Sequence, residues 1–180
     1  MACGDDTTAL ALAAGRGDRA ALAEFIRATQ ADVWGFVAHL AGRDVADDLT
    51  QEIYLRVLEA LPAFEGRASA RTWLLVIARR VVVDRVRHET ARPRLVALDA
   101  EVADACVVHP DPAEDLHLAG LLGALEVERR EALVLTQFLG FSYADAAQVC
   151  GCAVGTIRSR VARARADLVN LLSCQNLIDL

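Results

Sequence analysis

Wherever apolar residues recur regularly in this 180-residue chain, they recur at the helical period. Across residues 18–40, Leu22, Phe25, Ile26, Val33, Phe36, Val37 and Leu40 fall on one face of a helix. Asp18 stands where that helix needs a cap, and Gly42 just beyond its end. No stretch of useful length alternates apolar and polar residues, and there is no internal repeat. An all-α fold is therefore expected. The hydrophobic fraction of 54% is rich in alanine, which favours helices over large sheets. The length allows one medium domain or two small ones.

A second helix is predicted at about residues 45–61, stopped by Pro62. Its apolar side is Leu49, Ile53, Val57 or Leu58, and Leu61. Asp48, Glu52, Arg56 and Glu59, with Gln51 beside them, form one exposed stripe, which on composition alone is a solvated face. After the loop at 62–68, Ser69 caps a third helix. Trp73, Leu74, Ile77 and Val81 share one of its faces as candidate core, and Arg80, Val83 and Arg87 lie on another. Periodicity then stops. Residues 97–118 hold six acids and no arginine, so this part reads as a flexible acidic linker. At about 20 residues it spans at most about 65 Å, or about 19 base-pair steps. Asp111-Pro112-Ala113-Glu114 then has the form of a capped helix start. Leu118, Leu121, Leu122 and Leu125 continue that helix, and another is expected at about 128–139, before Gly140. The expected architecture is two small helical domains, 8–90 and 111–172, joined by a linker at 91–110.

Residues 142–168 carry the sharpest signal. A short helix capped by Ser142, a Cys150-Gly151-Cys152 turn and a second helix follow one another without a gap, the order of a helix-turn-helix. Val154, Ile157, Val161, Leu168 and Leu171 form the docking face of the second helix. Thr156, Arg158, Ser159, Arg160, Arg163 and Arg165 supply small and basic groups for bases and phosphates. If its four arginines neutralised phosphates, affinity would fall about 100-fold between 50 and 200 mM salt. The formal net charge is -6, so nucleic-acid binding must be local. A second basic region fits an opened strand, which is held by cationic grooves and pockets for unstacked bases. It comprises Phe64, Arg67, Ser69 and Arg71 at the loop and helix start, with Arg80 and Arg87 along the helix.

Other functions find little support. Acidic residues stand where a signal peptide would be basic, and no apolar run reaches membrane length. A cytoplasmic protein without a membrane is expected. Five cysteines without repeated spacing read as free thiols, and Cys150 and Cys152 lack a second pair of zinc ligands nearby. The four histidines show no nucleophile-base arrangement, so neither catalytic residues, nor a metal, nor a cofactor is expected.

Three ordered motifs resemble the extracytoplasmic function (ECF) group of sigma-70 family RNA polymerase sigma factors, especially the actinobacterial sigma factor C type. They are DDLTQEIYLRVLEALPAF (47–64), SARTWLLVIARRVVVDRVR (69–87) and the stretch 131–168 with GFSYADAAQVCGCAVGTIRSRVARAR. The likeness covers roughly residues 8–172. It implies a region 2 domain that binds polymerase and reads the −10 element, and a region 4 domain that reads the −35 element. The implied partners are core RNA polymerase (the beta-prime clamp helices and the beta flap) and promoter DNA, with an anti-sigma factor left open. Asp48, Gln51, Glu52 and Arg56 become the polymerase face. Loop 62–69 becomes the site that captures a flipped −10 base, the helix at 71–87 the −10 reader, and that at 154–168 the −35 reader. Leu125-Glu126 stands where members often have Leu-Pro, Arg80 where asparagine or histidine is frequent, and Ala153 where proline or serine is common. A stand-alone helix-turn-helix regulator and a sensor using Cys150 and Cys152 are the rival readings.

Overall fold

The computed structural model describes residues 3–90 and 112–176, and among these it contains helices and no strand. A helix that the periodicity did not reveal, α1 (Cys3–Gly15), opens the chain. Its apolar residues are alanine and leucine with little polar contrast, which gives helix propensity without a readable period. α2 (Arg19–Ala41) starts at its expected cap, where Asp18 Oδ1 accepts from Ala20 N at 2.9 Å and Ala21 N at 3.1 Å. It ends at Gly42, whose φ of 107° lies in the region that favours glycine. α3 (Ala46–Ala60) follows, and Pro62 then confines the chain to a 3-10 turn at Leu61–Ala63. α4 (Ala70–Thr90) is capped by Ser69 Oγ, which accepts from Thr72 N at 3.1 Å.

In the second half come α5 (Pro112–Gly123), α6 (Val127–Leu133), α7 (Tyr143–Cys150) and α8 (Val154–Asn176). α6 starts one residue before the expected Glu128 and runs into a π-turn at Val134–Phe138, where Leu139 N donates to Val134 O. α8 continues past Leu168 to Asn176. The expected linker (91–110) and the cap Asp111 lie outside the described residues.

The apolar faces of α4 and α8 need revision, while on α3 the choice between Val57 and Leu58 is resolved. On α4 the core side is Ala70, Leu74, Leu75, Ala78, Val81 and Val82, while Trp73 and Ile77 are half-buried. On α3, Val57 is buried and Leu58 exposed. On α8, Ile157, Val161 and Ala164 are buried and Val154 is exposed.

α1 to α4 pack together, and α5 to α7 gather around α8. The two groups also pack on each other, α4 against α7 and α2 against α5, α6 and the π-turn. One contiguous set of buried residues runs from Ala11 to Ala164. Two modules along the chain thus share one core in space.

Candidate nucleic-acid interface

The helix-turn-helix is built locally. Ser142 Oγ accepts from Asp145 N at 3.1 Å and donates to Asp145 Oδ2 at 2.6 Å. Gly151, at φ 63° and ψ 38°, ends α7 in the left-handed conformation, and its N–H reaches the carbonyls of Ala147 and Gln148. That turn aims α8. Ile157, Val161 and Ala164 bury its inner side, which leaves Arg158, Ser159, Arg163 and Arg165 exposed and Thr156 and Arg160 half-buried. Arg165 Nη2 donates to Gln137 Oε1 at 2.7 Å, and Arg160 lies 4.0 Å from Cys152 Sγ. Cys150 is buried, and burial together with the nearby Glu131 carboxylate pushes its thiol pKa up.

The first module holds the other basic residues in several different settings. Phe64 stacks obliquely on Trp73, with ring centroids 4.7 Å apart. Arg67 is exposed and paired with Glu65. Ser69 is the α4 cap. Arg71 Nε donates to Asp32 Oδ2 at 2.5 Å, and its Nη2 donates to Leu139 O at 2.6 Å. The Arg71 guanidinium also lies 4.3 Å above the Phe141 ring. Arg80 is exposed. The side chain of Arg87 lies outside the described set.

Two arginines central to the arrangement were absent from the expected set. Arg79, on α4, binds both carboxylate oxygens of Glu131, whose side chain is only 1% exposed. Burial alone would lower the Arg79 pKa, but the Glu131 hydrogen bond and charge raise it overall. Arg130 donates to Leu40 O at the end of α2, and to Gly123 O and Leu125 O. Burial pulls its pKa down. The readable signal was Glu131 itself, a carboxylate that opens the apolar run 132–135 in the sequence EALVL. Together Arg71, Arg79 and Arg130 join the first module to the second.

On α3, Asp48, Gln51 and Arg56 are exposed and Glu52 is half-buried, with Arg56 Nη2 donating to Glu52 Oε1 at 2.5 Å. Leu55 (64% exposed) and Leu58 (40%) share this surface. Among the described residues no cluster of His, Cys, Asp and Glu could hold a metal ion, and no helix is long and apolar enough to cross a membrane.

The sigma-70 region 2 family model matches residues 25–92, and the sigma-70 region 4 model matches residues 117–168. The chain is 55% identical over 165 residues to the ECF RNA polymerase sigma factor SigC of Mycobacterium tuberculosis, covering 90% of this chain and 89% of that one. The chain belongs to the ECF group of the sigma-70 family. Sigma factors of this family bind core RNA polymerase and direct it to promoters through −10 and −35 elements. Solved structures share the fold as well. CnrH in complex with the cytosolic domain of CnrY has a TM-score of 0.74 at 25% identity, covering 94% of this chain and 98% of that one. RpoE of Bartonella quintana, in complex with the anti-sigma factor NepR, has a TM-score of 0.71 at 29% identity, covering 84% and 96%.

Proposed function

We infer that this sigma factor reads its promoters with the residues named above, and that its modules must part before it does so. Thr156, Arg158, Ser159, Arg160, Arg163 and Arg165 face the −35 major groove. Phe64, Arg67 and Ser69 receive the opened −10 strand, and Arg71, Arg80 and Arg87 follow it along α4. Asp48, Gln51, Glu52 and Arg56, joined by the exposed Leu55 and Leu58, dock on polymerase. An apolar pair ringed by charges suits a protein partner better than solvent does. The domain limits are 8–90 and 111–172. The protein works in the cytoplasm as a subunit with no catalytic act of its own, and an anti-sigma factor is a further partner.

One observation carries this reading. The outer arginines of α8 face solvent, whereas Arg71 and Arg79 of α4 are engaged by the second module. The −35 reader is thus open in this arrangement, while part of the −10 reader is covered. Polymerase, by binding the first module at α3, supplies the free energy that separates them. The test is run-off transcription by core polymerase on a genomic promoter library, paired with titration of single-stranded −10 DNA against free protein and holoenzyme. New start sites and tighter strand binding in the holoenzyme are expected. Core that initiates equally well with and without the protein on every promoter would overturn the reading.

A further inference from the structure

The −10 loop at 62–69 is gripped by a helix that lies outside both family-model matches. Three residues of α1 at spacings of four and three, Thr8, Leu12 and Gly15, share one helical face. Each meets the loop at a different place. At its start, Gly15 lies so close to the chain that an added Cβ would stand 2.6 Å from Leu61 O. In its middle, Gly66 has a φ of +72°, and an added Cβ would lie 3.4 Å from Leu12 Cδ1 and 3.8 Å from Thr8 Cγ2. At its end, Thr8 Oγ1 accepts from Ala70 N at 3.0 Å.

That last bond completes a helix cap from 62 residues away. The first N–H groups of a helix have no partner within it. Ser69 Oγ serves Thr72 N, three residues on. Ala70 is fully buried, so water does not reach its N–H, and Thr8 takes that place. We propose that the Thr8, Leu12 and Gly15 face of α1 is a clamp that holds loop 62–69 in its strand-receiving shape, with Thr8 as the positioning residue. The proposal rests on the reading of this loop as the −10 strand site. Its physical basis is preorganisation: a loop fixed at start, middle and end loses less conformational entropy when an unstacked base enters.

The test uses holoenzyme assembled from core polymerase and the full chain. The probes are single-stranded DNA spanning the −10 region of a promoter it transcribes, and duplex DNA spanning the −35 region. Thr8→Val keeps the shape and removes the acceptor; at the typical worth of a helix cap, strand binding should weaken about fivefold. Thr8→Ser should restore it. Leu12→Ala, which spares the hydrogen bond, should weaken strand binding in the same direction. Affinity for core polymerase and for the −35 duplex should not move, which separates positioning from general destabilisation. If Thr8→Val fails to assemble with core, Leu12→Ala decides. Wild-type strand binding by these variants, while Phe64→Ala and Arg67→Ala lose it, overturns the clamp alone. Wild-type binding by Phe64→Ala and Arg67→Ala overturns the loop reading and the clamp with it.

Discussion

Replacing Arg79 with methionine should open the protein. The Glu131 carboxylate is 1% exposed and bound on both oxygens by Arg79, whose side chain is 25% exposed. Removing one partner of a buried pair costs about 3–5 kcal/mol, because the other charge is left uncompensated. At about 1.4 kcal/mol per tenfold, the lower figure shifts the balance toward separated modules by more than about 100-fold. Glu131→Gln is milder. It strands an arginine that water already reaches, and a cost of about 1 kcal/mol shifts the balance about fivefold. The double variant Arg79→Met/Glu131→Leu replaces the pair with apolar groups and should close again, since such exchanges are often neutral. Small-angle scattering reads separation of the modules, and binding of single-stranded −10 DNA by the free protein reads exposure of α4. Opening should rank Arg79→Met first, then Glu131→Gln, with the double variant near wild type. An Arg79→Met protein with wild-type scattering and strand affinity, or a double variant as open as the single, would refute the reasoning.

Two further outcomes follow from burial. Tyr54 has its pKa pushed up to about 12 by burial, with the Thr29 hydrogen bond lowering it and Asp32 raising it. Below about pH 10 the phenol is protonated whether the chain is folded or not. Between about pH 10 and 12 only the unfolded chain ionises, so stability should fall by about 3 kcal/mol across that window. Denaturant titrations should find this loss reduced in Tyr54→Phe, and an equal loss in that variant would rule out Tyr54 as its source. The raised pKa of the buried Cys150 predicts that iodoacetamide at about pH 8 labels the half-buried Cys152 before Cys150. Peptide mapping that finds Cys150 modified at the same rate in the native protein would contradict this.

The second-module motif was legible because its determinants are local. Ser142 and Gly151 each act within a few residues of the helix end they close, and each does in space what its position suggests. The Asp18 cap and the stop at Pro62 were readable for the same reason. α1 was missed because alanine and leucine alone carry no face. The faces of α4 and α8 were partly misjudged because several apolar positions compete for one core. Trp73 turns toward Phe64, and Val154 remains outside the core.

Composition, caps and periodicity were enough to specify an all-helical chain with a helix-turn-helix and two basic regions. Family membership was legible in the motifs for the same reason: their spacing survives in one dimension. How the two modules meet was not. Arg79 and Glu131 are 52 residues apart, Arg71 and Leu139 are 68 apart, and Thr8 and Ala70 are 62 apart. No local period encodes such pairings, since each depends on which surfaces come together after the helices form. Packing decided that Arg71 joins the modules and that α1 grips the loop at 62–69.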